Sequence, residues 1–153
     1  MPKVFSRFFT LAWTVSCLAL AVTGAGQMPI FKRYYIADLP GMAWTADFFL
    51  LHTLHYLAAA VFLALAAAWL GARLAGTGAG RLTSTGFMRV LAVVALAVTG
   101  GLRVAKNMRG VWLDPDLLMF VDWLHLVAAL ALGMLVLWAM RRGREPYAEP
   151  RGA

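Results

Sequence analysis

Histidine is the side chain here with the widest chemical reach, and the chain has three: His52, His55 and His125. All three fall in long apolar stretches, where an ionisable group is costly and as a rule faces the interior of a helix bundle. His55 lies about eight residues into one apolar helix and His125 about six into another; at ~1.5 Å per residue both sit roughly 9–12 Å below the same membrane surface. Two imidazoles at one depth on two helices can ligate both faces of a haem iron. The plainer reading is an interhelical hydrogen-bonding histidine, but the pairing at equal depth favours ligation. Met28, Met42, Met108 and Met119 are thioether alternatives, and their loop or interfacial positions point to packing instead.

The residues around these histidines are small. Gly24 and Gly100 reach the same level on the two other apolar stretches, where glycine lets a flat macrocycle approach the backbone. Ala58, Ala59, Ala128 and Ala129 keep the histidine-bearing helices slim, although such small residues also serve ordinary helix packing. Arg103 and Lys106 follow just beyond Gly100, placed either to neutralise haem propionates or to anchor the helix at the interface. His52 stands three residues before His55, and Asp122 stands three before His125. That correspondence suggests a polar pair on the outer side of the haem, able to hydrogen-bond or relay protons to a quinone; a structural histidine is the simpler alternative.

The elements that must position these groups are four apolar stretches, roughly Phe8–Ala25, Phe48–Leu70, Phe87–Ala105 and Met119–Met140. Each approaches or exceeds the ~18–20 residues that cross a hydrocarbon core of about 30 Å. None shows the alternation of a barrel strand. Of the chain's 153 residues 62% are hydrophobic and 14% charged, which excludes an ordinary soluble domain. The expected fold is an all-α membrane protein: a four-transmembrane-helix bundle over residues 1–142, in contact with membrane lipid, with a polar cytoplasmic tail at 143–153. Lys3, Arg7 and the short apolar run after them resemble a signal peptide, but we read the segment as a retained first helix. Cys17, the single cysteine, lies within it and reads as a packing residue.

The net charge of +7 does not indicate nucleic acid, because the cations sit at helix ends and in short connections. Nine of them lie on the side of the chain ends and the middle connection, against five on the other: Lys32, Arg33, Arg103, Lys106 and Arg109. The positive-inside rule therefore places both termini in the cytoplasm. Trp44, Trp112 and Trp123 then lie near the outer interface, with Trp69 and Trp138 near the inner one. The two halves also repeat in parallel. Leu20–Gly24 reads Leu-Ala-Val-Thr-Gly, as does Leu96–Gly100. Leu54-His55 with Ala58-Ala59 returns as Leu124-His125 with Ala128-Ala129.

With the basic Arg7, the Thr-Gly late in the first helix, and the histidines early in the second and fourth, most of the chain resembles the cytochrome b (gamma-type) subunits of membrane formate dehydrogenases and nickel–iron hydrogenases. The resemblance implies a four-helix core that passes electrons between a partner's iron–sulfur relay and quinone. It implies that His55 and His125 match the ligands of the haem nearer the periplasm. The chain departs from that pattern at the inner haem, since neither the region of Thr10 nor that of Ala139 holds a histidine. A single haem b is expected.

The expectation is therefore one subunit of a redox complex in the bacterial cytoplasmic membrane, not an enzyme by itself. It would exchange electrons between quinone and a periplasmic or membrane-associated iron–sulfur or multihaem protein, docked on Gln27–Asp47 and Lys106–Leu118. Two rivals compete with it: a haem-free membrane anchor, and a small transporter half suggested by the repeat. The parallel repeats, and the placing of Pro29, Pro40 and Pro115 in loops, count against the transporter.

Overall fold

The computed structural model describes residues 6–28, 35–76 and 82–142. It is all-α, with four long helices: α1 (Arg7–Gly26), α2 (Phe48–Leu74), α3 (Ser84–Ala105) and α4 (Pro115–Arg141). All four are long and apolar enough to cross a membrane, so the chain is a multi-pass membrane protein. The chain divides into two compact units, one holding α1 and α2 and the other α3 and α4. Each is an antiparallel helical hairpin.

The helices start where polar caps satisfy their first N–H groups. Ser6 Oγ accepts from Phe9 N at 3.2 Å, Asp47 Oδ1 from Leu50 N at 2.9 Å and Thr83 Oγ1 from Gly86 N at 2.9 Å. Asp114 Oδ1 accepts from both Asp116 N and Leu117 N, with Pro115 following at the first helical position. These caps extend α3 and α4 beyond the expected starts at Phe87 and Met119. Pro115 thus opens α4 instead of lying in a loop, a position where its missing N–H costs nothing. The apolar runs understate the helices because first turns are polar. At the opposite ends of α2 and α4, Arg73 lies over the Trp69 ring at 5.8 Å and Arg142 over Trp138 at 4.6 Å. Such cation–aromatic pairs suit a membrane interface.

Burial runs opposite to that of a water-soluble hairpin. No more than 11% of any span is buried, and Phe8, Phe49, Leu57, Leu91, Leu130 and Met134 are exposed. The buried positions are mostly small or hydroxylic: Ser16, Thr23 and Gly26 on α1, Thr99 and Ala92 on α3, Ala128 and Ala139 on α4. Lipid solvates the large apolar side chains as well as a protein core would, so helix contact is driven by close approach of small residues and by interhelical hydrogen bonds. The most deeply buried apolar side chains occupy matching places, Leu51 on α2 and Val121 on α4, each one residue before His52 and Asp122. Arg89 is also buried, on the first half of α3, where its guanidinium donates to the Thr85 carbonyl and hydroxyl at 3.2 and 3.0 Å.

The expected tail at 143–153 and part of the expected docking loop, residues 29–34, lie outside the described residues. Within the first connection, 3-10 turns span Ile36–Asp38 and Ala43–Ala46.

Candidate functional site

In the first hairpin, α1 brings Thr23 against His55 of α2, with Oγ1 2.9 Å from Nδ1. The same hydroxyl donates to the Ala19 carbonyl one turn back, at 2.6 Å. A threonine hydroxyl has one hydrogen, and the Ala19 bond uses it. Oγ1 therefore accepts from the imidazole. Nδ1 of His55 carries the proton, and Nε2 carries the lone pair.

The second hairpin repeats this arrangement. Thr99 Oγ1 lies 2.8 Å from His125 Nδ1 and donates to the Ala95 carbonyl at 2.7 Å. Both threonines are almost fully buried, at 5% exposure for Thr23 and 2% for Thr99. Each hydroxyl is held by its own helix and in turn holds a ring on the neighbouring one. A histidine whose Nδ1–H is fixed by an acceptor is oriented to offer Nε2 as a ligand, as in metal-binding proteins generally.

The glycines sit beside the same rings. A Cβ at Gly24 would meet His55 Cε1 at 3.3 Å, and one at Gly100 would meet His125 Cε1 at 3.6 Å. Each glycine thus makes room for the imidazole of its own hairpin, a role that the expected approach of a macrocycle had not included. Gly26 leaves space for Leu51, whose Cδ atoms would lie 3.0 Å from an added Cβ.

One turn further along, each hairpin carries a polar pair. Arg103 Nη1 lies 3.0 Å from Asp122 Oδ1, with both side chains partly exposed. His52 Nδ1 lies 3.1 Å from Gln27 Oε1. Gln27 stands four residues after Thr23, and Arg103 four after Thr99. His52 and Asp122, matched in the sequence, therefore each have a partner inside their own hairpin. Arg103 is engaged with Asp122, although its guanidinium has five N–H donors and the pair does not use them all.

Thr23, Thr99 and Gln27 were not singled out from the sequence as histidine partners. The repeated Thr-Gly was the available signal, because it recurs in step with the repeated Leu-His. Among the described residues no group of three or more His, Cys, Asp or Glu side chains is placed to hold a bare metal ion. A haem iron held by two imidazoles needs only two protein ligands. Comparison of the chain with protein-family models, with curated proteins and with solved structures found no match.

Proposed function

We propose that this chain is the b-type cytochrome subunit of a redox complex in the bacterial cytoplasmic membrane, with one haem b held by His55 and His125 near the periplasmic face. The observation that carries the reading is the duplicated Thr–His pair. Two hairpins independently fix an imidazole with Nδ1 protonated, supported by a hydroxyl that is itself held. With Nδ1 protonated, each imidazole would be able to offer Nε2 to an iron.

Each hairpin by itself suits one half of such a site. His55 and His125 would supply the two nitrogens, Gly24 and Gly100 leave the rings their place within each hairpin, and Arg103 would offer N–H donors to a propionate. A haem with two imidazole ligands supplies a one-electron ferric/ferrous couple and no open coordination position. The chain's own part is to hold the rings: Thr23 and Thr99 set the tautomer, and the apolar spans exclude water from them. Electrons would pass between membrane quinone and an outer-side partner, an iron–sulfur or multihaem protein docked on the connections before α2 and α4.

The reading is tested by a pyridine haemochrome assay on the purified protein, with the protein concentration measured in parallel. A b-type spectrum with about one haem per chain is expected. The absence of that spectrum would support the haem-free anchor.

A further inference from the structure

An open groove of about 510 Å³ runs along the first half of α4, lined by Pro115, Leu118, Met119, Asp122, Trp123 and Leu126. That volume lies in the ~300–1,000 Å³ range of small-ligand sites. The lining residues recur every three or four positions, so they form one stripe of the helix. Met119 and Trp123 are exposed, and only 11% of the apolar span is buried, so the stripe borders lipid.

Asp122 is the charged member of the stripe. Its Oδ1 is buried and lies 3.0 Å from Arg103 Nη1, but without an aligned hydrogen bond. The side chain as a whole is 45% exposed, so the exposed part of the carboxylate is Oδ2. Asp122 stands seven residues after Pro115, roughly 10 Å along α4 at ~1.5 Å per residue. A carboxylate beside leucine and methionine in a membrane span is costly unless it receives hydrogen bonds, and such a residue marks a functional site by default.

The group that suits Oδ2 is a cation with N–H donors, held near the level of the lipid headgroups. A primary ammonium has three such donors. An ammonium over an indole face is also attracted by the ring, and Trp123 lines the same groove. Leu118, Met119 and Leu126 offer an apolar bed to an acyl chain. We propose that this groove binds an aminophospholipid such as phosphatidylethanolamine, with the primary ammonium donating to Asp122 and lying against Trp123. A quaternary ammonium could use the ring but has no N–H to donate. An anionic headgroup would bring its charge against the exposed carboxylate oxygen. The site lies wholly within the second hairpin and does not rest on the haem reading.

The test is native mass spectrometry of the delipidated, detergent-purified protein. It is offered phosphatidylethanolamine, the N,N-dimethyl derivative and phosphatidylcholine, all with the same acyl chains. Phosphatidylethanolamine should be retained about tenfold better than phosphatidylcholine, the effect of one charge-assisted hydrogen bond, with the dimethyl lipid between them. Asp122→Asn should remove most of that difference. Equal retention of the three lipids by the wild-type chain, or a preference that survives Asp122→Asn, would overturn the proposal. So would a wild-type chain that retains none of them, the result expected where a partner's helix covers the groove. The methylated series on the wild-type chain keeps the test independent of how the variant folds. A chain that prefers the primary amine but carries no haem would keep this site and lose the cytochrome.

Discussion

His125 Nδ1 and Thr99 Oγ1 lie 2.8 Å apart, and the threonine hydrogen is already committed to the Ala95 carbonyl. The same three-part arrangement recurs with His55, Thr23 and Ala19. Each threonine is thus an acceptor for a neighbouring imidazole and sets which of its nitrogens carries a lone pair. The central prediction concerns these threonines as much as the histidines they hold.

Replacing Thr23 or Thr99 by Val keeps the shape and removes the acceptor. Loss of such a supporting partner typically costs ~10–100-fold in metal affinity, and a similar loss of haem affinity is expected. Ser at either position retains the oxygen and should retain most of the affinity. Haem titration of the apoprotein, followed in the Soret band, reads the difference. Wild-type affinity in both Val variants would remove the tautomer argument.

Gly24 and Gly100 should differ in their tolerance of alanine. The added Cβ would stand 3.3 Å from His55 Cε1 at the first and 3.6 Å from His125 Cε1 at the second. The first distance forces the ring or helix to give by a few tenths of an ångström, whereas the second is ordinary contact. Gly24→Ala should therefore lower haem occupancy and alter the reduced spectrum, with Gly100→Ala close to wild type. Equal effects at the two sites would contradict this geometry.

Gly26→Ala tests packing separately from the histidines. Its Cβ would meet two Leu51 methyl groups at 3.0 Å, and Leu51 is fully buried. Overpacking of this kind costs typically ~1–3 kcal/mol. The variant should lose thermal stability in detergent, and Leu51→Ala combined with it should recover part of the loss. No recovery in the double variant would show that the contact is not the cause.

The charge pair that joins the end of α3 to α4 offers a sign test. Arg103 and Asp122 form a partly exposed ion pair, so its net contribution to stability is expected to be only about 0–1 kcal/mol. Their effects on a nearby haem should have opposite signs. Removing a cation favours the ferric form, so Arg103→Gln should lower the midpoint potential; Asp122→Asn should raise it. Redox titration with optical detection measures both. Shifts of the same sign would place the pair outside the electrostatic reach of the haem.

The spans themselves are legible in the sequence because a run of about 20 apolar residues has few alternatives to a membrane helix. Their ends are less so. Thr83 and the Asp114-Pro115 pair extend α3 and α4 by cap chemistry that an apolar run does not register. The histidines and the Thr-Gly repeat were visible, but the Thr–His contacts were not. Those contacts depend on how each helix is rotated about its axis, and α1, α2 and α4, apolar almost all round, carry little periodic signal to fix that rotation. Small residues lie mostly in the contact within each hairpin, and most large ones lie on its exposed faces, so Thr23 and Thr99 become readable once burial is known. Gln27 was missed for the same reason, whereas Arg103 was noticed for its charge and its partner Asp122 was not assigned to it.

The account is tested most directly by the haem content of the wild-type chain and of its His55→Ala and His125→Ala variants, measured by pyridine haemochrome on protein purified in parallel. The account predicts about one b-type haem per chain in the wild type, with the six-coordinate spectrum lost in each single variant and no haem in the double variant. A wild-type chain without haem, or a haem that persists when both histidines are gone, would contradict it.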